Sequence, residues 1–453
     1  MEKMELPKGW VEADISQVIS KTGLIVDGDW VESKDQDVNG SVRLIQLADI
    51  GDGEFRNRSS RFMNIEATER LNCTFLQEGD VLVARMPDPL GRACLFPEIN
   101  QHAVTVVDVC LIRVDAFSAI DNKLLMYLIN SYNFRNIVAE NASGTTRKRI
   151  TRKKLEKISF NLPPLAEQKE IVRIIESHLQ LVDQIKSRLD ALPKILEQFR
   201  QSVLASAVSG KLVEIENNST RELLSNITTK IGSGSTPRGG EKNYKTEGIP
   251  LIRSMNIHFS GIKYDGLAYI DDIQAETLKN VIVYEDDVLL NITGASIGRV
   301  TTAPKELNNA RVNQHVSIIR TDNKRLLPKY LEFYLGSPII QHWIESENYG
   351  ATRQALTKTM IENLEIILPS LEEQKEIVKR VENLFALADQ IESKIKNAQE
   401  RVNLLTQSIL AKAFRGEFTA KWREENPDLI SGENSAEALL KRIEIDKKRN
   451  KKK

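Results

Sequence analysis

The chain is 453 residues long, enough for two or three domains with proper cores. Its 63 basic and 63 acidic side chains cancel, which argues against a protein that coats any polyanion and still allows local basic surfaces. No apolar run approaches a membrane span, MEKMELPKGW is no signal peptide, and Cys73, Cys94 and Cys110 lack metal or disulfide spacing, as expected of buried thiols in a cytoplasmic protein.

In chain order, residues 1–161 read as a globular region. Strand-like runs VRLIQL (42–47), DVLVAR (80–85) and AVTVVDVCLIRV (103–114) are punctuated by turn chemistry at DGD, GDG and PDPLG. A helical stretch around 122–139 and a basic segment, SGTTRKRITRKK (143–154), close the region. Residues 162–213 then carry a long helix. Residues 214–367 form a second globular region, 368–416 a second long helix, and 417–453 a tail with a short helical patch, SAEALLKRIE, and a lysine-rich end expected to be solvated.

The two helical stretches are copies of each other. LPPLAEQKEIV…SG (162–210) and LPSLEEQKEIV…RG (368–416) align without a gap and match at 21 of 49 positions, too many for chance. Ile171, Ile175, His178, Val182, Ile185, Leu189, Leu192, Leu196, Phe199 and Val203 follow a strict 4-3 spacing. Ile377, Val381, Leu384, Ala388, Ile391, Ile395, Ala398, Val402, Leu405 and Ile409 repeat it, so both helices carry a heptad seam. Ser370 with Glu373 forms a capping box, Pro164 suits a first turn, and Gly210 and Gly416 suit C-terminal caps. Pro193 should kink the first helix near Leu189, and His178 reads as a packed core histidine. Because 214–367 joins the end of one helix to the start of the next, the helices should pair antiparallel. That makes a dumbbell with a pseudo-twofold axis.

The globular regions repeat as well. Leu44-Ile45, Asp49-Ile50, Asp80-Val81-Leu82 and Gly91-Arg92 match Leu251-Ile252, Asn256-Ile257, Asp287-Val288-Leu289 and Gly298-Arg299 at an offset of 207. Asn100-Gln101-His102 matches Asn313-Gln314-His315, and Gly144-Thr145-Thr146-Arg147 matches Gly350-Ala351-Thr352-Arg353, with Thr151 against Thr357. Between these landmarks the sequences diverge, as expected of two readers of two different targets.

Catalytic patterns fail. GSGSTPRGG (232–240) lacks the Lys-Ser/Thr of a phosphate loop, and Pro237 stands where a dinucleotide fingerprint needs its third glycine. Asn161-Leu162-Pro163-Pro164 has an inserted leucine and no aromatic, so its likeness to an amino-methyltransferase motif is a coincidence. Histidine spacing offers no metal site, and there is no GxSxG elbow. Recognition remains. Arginine forks read guanine or clamp phosphate, and Ser/Thr hydroxyls add contacts. The candidates are Arg92, Thr146, Arg147, Lys148, Arg149, Ser235, Thr236, Arg238, Arg299, Thr352 and Arg353; a structural role for Arg92 and Arg299, paired with carboxylates, is the alternative.

With LPKGWVEADISQV at the start, the doubled LPxLxEQKEIV, the GSGSTPRGG…GIPLIRSMNI entry and the KWREENP tail, the chain resembles the specificity subunits of type I restriction-modification systems. The resemblance covers essentially the whole chain. It implies an α+β protein: two mixed α/β target recognition domains, residues 1–161 and 214–367, separated by an antiparallel coiled coil of two long spacer helices. Each domain would read one half of a bipartite, asymmetric site on double-stranded DNA. The helices would set the spacer and dock two modification (methyltransferase) subunits. Adenine-N6 methylation and ATP-dependent cleavage would belong to those and to the restriction subunits, with S-adenosylmethionine, ATP and Mg on the partners and no cofactor here. A coiled-coil scaffold with two protein-binding heads, or a stand-alone methyltransferase or nuclease, are the competing classes. Steep salt dependence of DNA affinity separates the first reading from the scaffold.

Overall fold

The computed structural model describes residues 5–145, 147–213, 220–236, 240–347 and 355–449. It separates into two compact units, one taking the chain as far as Arg188 and again from Gln399, the other taking Leu189–Ala398. Each unit owns one globular region and a part of each long helix, Leu165–Val208 and Leu371–Phe414.

In the first unit Leu24–Asp27, Val109–Arg113, Val81–Ala84 and Ala93–Leu95 form an antiparallel sheet in that order. Val81, Leu82, Val83 and Ala84 are all fully buried, so this central strand is an unbroken apolar run with no polar face. A second sheet pairs Arg61–Met63 antiparallel and Ala103–Thr105 parallel with Val42–Ile45. Val11–Asp14 pairs with Ser159–Leu162, tying the start of the region to its end. The helical stretch resolves into two helices, Asn122–Asn130 and Tyr132–Asn141. Ser131 breaks it, its hydroxyl donating to the Leu128 carbonyl and accepting from the Phe134 N–H.

The second unit repeats this plan. Thr228–Ser233, Val316–Thr321, Val288–Asn291 and Val300–Thr302 form the four-stranded sheet. Ala268–Ile270, Ile249–Ile252 and Arg311–Val312 form the three-stranded one, again with one parallel pair. Thr220–Leu223 pairs with Glu365–Leu368 as the closing ribbon. The ion pair that braces the four-stranded sheet is also duplicated. Arg113 grips buried Asp80 at 2.7 and 2.6 Å, and Arg320 grips buried Asp287 at 2.7 and 2.8 Å. Asp80 and Asp287 were legible as a matched pair; their arginine partners were not.

Strand register corrects one match. Leu44 pairs with Val104 and Leu251 with Arg311, so the true offset at this strand is 207. Asn313-Gln314-His315 therefore stands in the place of Val106-Val107-Asp108. The Asn100-Gln101-His102 triplet precedes its strand instead of following it, and the identity of letters was accidental.

The doubled helix signature has a buried reason. Gln168 is fully buried, its amide donating to the Ala119 and Pro163 carbonyls and accepting from the Asp121 N–H, all at 2.8 Å. Gln374 does the same with the Arg325 and Pro369 carbonyls and the Leu327 N–H. The neighbouring glutamates differ. Glu373 closes the expected capping box with Ser370. Glu167 is buried, accepting from Trp10 Nε1 at 2.8 Å and from Thr419 and Arg423 at 2.6 Å each. The tail is thereby built into the first unit: Ile430 and Ile443 are buried, and Lys447 donates to the Ser16 carbonyl at 2.7 Å. The tail helix runs Ala436–Arg449, so the lysine-rich end is docked at Lys447, where full solvation was expected.

Within the second unit the helices run antiparallel: Arg200 pairs with Asp389 at 2.5 Å and Glu392 at 3.2 Å, and Arg380 donates to the Leu212 carbonyl. Leu196, Ala388 and Ile395 form a small core there with Leu189, Leu192 and Phe199 around it. The seam is well covered at its ends, where Ile171, Ile175, Ile377 and Val381 are buried, as are Val182 and Val402. It is open at single positions between buried ones: Ile185 is 43 %, Ile391 38 % and Leu405 39 % exposed. Two helices alone cover only the inner side of a seam residue; the globular core completes the burial at Ile377 and Val381. Helical structure continues through Pro193, and Gly210 and Gly416 take the left-handed cap conformation. His178 is exposed, its ring stacked on Phe418 at 5.1 Å, and is not a core residue. Burial pushes the three thiols up to about 12, which keeps them protonated.

Gln168→Ala and Gln374→Ala should each cost roughly 2–3 kcal/mol, because three buried backbone groups lose their partner. Denaturant unfolding of the full chain checks this. Arg423→Ala should cost about 3–5 kcal/mol by leaving the buried Glu167 carboxylate without its cationic partner, and adding Glu167→Gln should recover part of the loss.

Candidate nucleic-acid interface

In the first unit a strand end, a strand exit and a basic loop meet at one place, and in the second unit the matching strand end and strand exit meet in the same way. In the first unit the chain after Leu24–Asp27 crosses the exit of Ala103–Thr105 so closely that a Cβ on Gly28 would sit 2.1 Å from the Val106 carbonyl oxygen. In the second unit a Cβ on Gly234 would sit 1.7 Å from that of Val312. Only glycine permits either crossing. The DGD at 27–29, which reads as a turn, is this crossing, held by Asp29 N–H to the Thr105 carbonyl at 2.7 Å.

The basic loop of the first unit closes beside it. Ser143 and Arg149 exchange backbone hydrogen bonds of 2.9 and 2.8 Å, which pushes Arg147 and Lys148 out into solvent. Thr151 caps the short helix Arg152–Glu156 behind the loop, as Thr357 caps Lys358–Glu362 in the second unit. Arg149 donates to the Val107 carbonyl at 3.3 Å and stands 3.9 Å from Asp108. Buried Arg85 donates to the same carbonyl and pairs with Asp27 at 2.8 Å. Burial pulls the Arg85 guanidinium below its usual range and Asp27 opposes the shift. Trp30, two residues past the crossing glycine, is 68 % exposed.

The same place in the second unit carries other chemistry. The Thr236 hydroxyl donates to Gln314 Oε1, Gln314 Nε2 lies 2.9 Å from His315 Nε2, and His315 Nδ1 lies 2.5 Å from the Thr293 hydroxyl. Ile292 occupies the place of Arg85: both receive the final bond of the basic-loop strand, Leu356 N–H to Ile292 and Ile150 N–H to Arg85. One scaffold thus presents an ion-pair cluster in one unit and a neutral hydrogen-bond relay in the other.

The predicted contact residues divide. Arg147, Lys148, Arg149, Ser235 and Thr236 come together at these junctions. Thr146, Arg238, Thr352 and Arg353 lie outside the described residues. Arg92 does not belong to the junction: it is 4 % exposed, and its guanidinium donates to the carbonyls of Ile50 at 2.5 Å, Pro89 at 2.8 Å and Leu47 at 2.6 Å. Its role is structural, with carbonyls where carboxylates were the alternative. Arg299 lines a cavity of about 840 Å³ with Arg200, Phe259, Lys329, Phe333 and Phe385, a lining that includes none of Thr236, Thr293, Gln314 and His315. Gln314, His315, Thr293, Asp27, Arg85 and Trp30 were missed, because their meeting depends on strand register. The one sequence signal was the pair of glycines at 28 and 234. Among the described residues no group of three His, Cys, Asp or Glu is placed to hold a metal, and no helix is long and apolar enough to cross a membrane.

The duplicated recognition fold on a paired helical signature defines a class. The chain belongs to the type I restriction modification DNA specificity family, whose domain model matches residues 7–194 and again 225–401. Proteins of this family are specificity subunits with two target recognition domains, and they read DNA sites. The chain is 39% identical over 338 residues to the specificity subunit of the Escherichia coli type I enzyme EcoBI, covering 69% of this chain and 70% of that one. It is 31% identical over 469 residues to that of EcoKI from Escherichia coli K12, covering 99% and 97%. Among solved structures, the HsdS subunit of Thermoanaerobacter tengcongensis superposes with a TM-score of 0.60 at 20% identity, over 92% of this chain and 99% of that one.

Arg92→Ala should lower stability by roughly 2–3 kcal/mol, since it orphans three buried carbonyls. Affinity for DNA per folded molecule should not change, which a binding titration corrected for folded fraction will check.

Proposed function

We propose that each unit reads one half of a split, asymmetric sequence on double-stranded DNA through its junction. The observation that carries this is the matched junction with unmatched chemistry: the same backbone crossing holds Asp27, Arg85 and Arg149 in one unit and Thr236, Gln314 and His315 in the other. Arg147, Lys148, Arg149, Ser235 and Thr236 contact the DNA, with Thr146, Arg238, Thr352 and Arg353 completing the loops. Two non-equivalent readers give a non-palindromic site, and on DNA the major-groove faces one helical turn apart are spaced by roughly 34–36 Å.

The long helices set the spacer and dock two modification subunits. Aliphatic side chains left exposed on them support the docking: Leu181, Ile185, Leu404 and Leu405 in the first unit, Ile195, Leu387 and Ile391 in the second. The chain itself is non-catalytic. Methylation of adenine N6 and ATP-dependent cleavage belong to the modification and restriction subunits, which carry S-adenosylmethionine, ATP and Mg, in the cytoplasm. The exposed cationic loop favours this reading over a scaffold with two protein-binding heads.

A genome-wide map of methylated adenines in cells expressing this chain with its modification subunit should show two short defined halves around a fixed gap. Replacing residues 1–161 with those of a relative should change one half alone; a change in both would defeat the two-reader assignment. Removing one heptad from both helices should change the gap and neither half. Arg147→Ala and Lys148→Ala should each weaken binding about equally on all sequences and reduce the salt slope by about one, read from titrations across salt concentrations.

A further inference from the structure

We propose that Gln314 is a specificity-determining residue of the second unit and that it reads an adenine in the major groove, held in position by His315, Thr293 and Thr236. The inference rests on the DNA-reading role above and goes beyond it by naming the residue and the base.

The argument is one of valence. An amide nitrogen only donates, so the 2.9 Å contact between Gln314 Nε2 and His315 Nε2 makes that ring nitrogen the acceptor. The proton of the neutral ring is then on Nδ1, which donates to the Thr293 hydroxyl oxygen at 2.5 Å. At the other end the Thr236 hydroxyl donates to Gln314 Oε1. The relay has one direction throughout, and reversing it by turning the amide over would still leave each end of the amide with one partner. Each end of the amide spends half its capacity in the relay. One lone pair on Oε1 and one N–H on Nε2 remain.

Gln314 is exposed, which leaves its amide accessible from solvent. Its two partners belong to concave surface: Thr236 and His315 line a cavity of about 290 Å³ together with Glu241, Tyr244, Arg253 and Ser254. Of the four bases, adenine offers both a donor, N6–H, and an acceptor, N7, on its major-groove edge. Guanine there offers two acceptors, cytosine a donor, and thymine an acceptor with a methyl group. A side chain reduced to one acceptor and one donor satisfies both only against adenine. In the first unit Val107 takes this position, with its carbonyl occupied by Arg85 and Arg149, so that unit reads its base by other means.

The relay also separates two roles. Gln314 touches the base. His315 acts through it, as a positioning residue, by holding one end of the amide in place.

The test uses the full chain assembled with its modification subunits and a pool of DNA duplexes randomised over one half-site at a time, with bound duplexes sequenced. Gln314→Ala should lose about 10- to 100-fold of the preference for A·T at a single position in one half-site, leaving the other half-site intact. Gln314→Glu, which offers acceptors alone, should move the preference at that position from adenine to cytosine. His315→Ala should relax the same position, the double variant with Gln314→Ala should lose no more than Gln314→Ala alone, and His315→Gln, which can accept and donate in the same places, should restore it. A Gln314→Ala profile unchanged at every position, or a Gln314→Glu variant that still selects adenine, overturns the inference while leaving the two-reader function standing. A wild-type chain that selects no split sequence overturns that function, and this inference with it.

Discussion

The structure depends on a buried carboxamide used twice. Gln168 and Gln374 sit at the first turns of the long helices, fully buried, each satisfying three backbone groups of the adjoining globular region and helix entry. The apolar contacts between a helix of 44 residues and its domain constrain angle and register poorly. Three hydrogen bonds in a water-free site allow one entry angle, and any other leaves polar groups unpaired.

The second constraint is the glycine crossing. Gly28 and Gly234 bring a strand end across a strand exit at a separation no side chain tolerates, and thereby fix three segments of backbone at one point. Since the crossing is made by backbone, the side chains around it are free to differ. The ion-pair cluster around Arg85 and the relay through Gln314 are two fillings of one mould. On the function proposed above, this would let a recognised base change without altering the fold, because the residues that hold the junction are separate from those that face outward.

The tail shows an asymmetry within the repeat. Glu167 and Glu373 occupy the same place in the signature, yet Glu373 caps its helix in partial exposure while Glu167 is buried among Trp10, Thr419 and Arg423. A buried carboxylate without these donors would be strongly destabilising. The first unit is complete only when both ends of the chain are in place, and that explains why a segment with the composition of a solvated tail is docked as far as Lys447.

The sequence by itself determined the repeat, the two long helices with their caps, the order of domains, and the basic loop with Arg147 and Lys148. These follow from period, punctuation and copying, all local or self-referential along the chain. Tertiary structure decided what required knowing neighbours. It placed Arg92 against three carbonyls, because burial selects partners that sequence spacing does not reveal. It moved the counterpart of Asn313-Gln314-His315 from 100–102 to 106–108, because register is set by hydrogen bonds between strands distant in sequence. It left Ile185, Ile391 and Leu405 partly exposed, because heptad spacing states which face a residue is on and burial depends on what else covers that face. And it brought Thr236, Gln314, His315 and Thr293 into one relay from three separate segments, since hydrogen bonds of that kind exist only once the strands have paired.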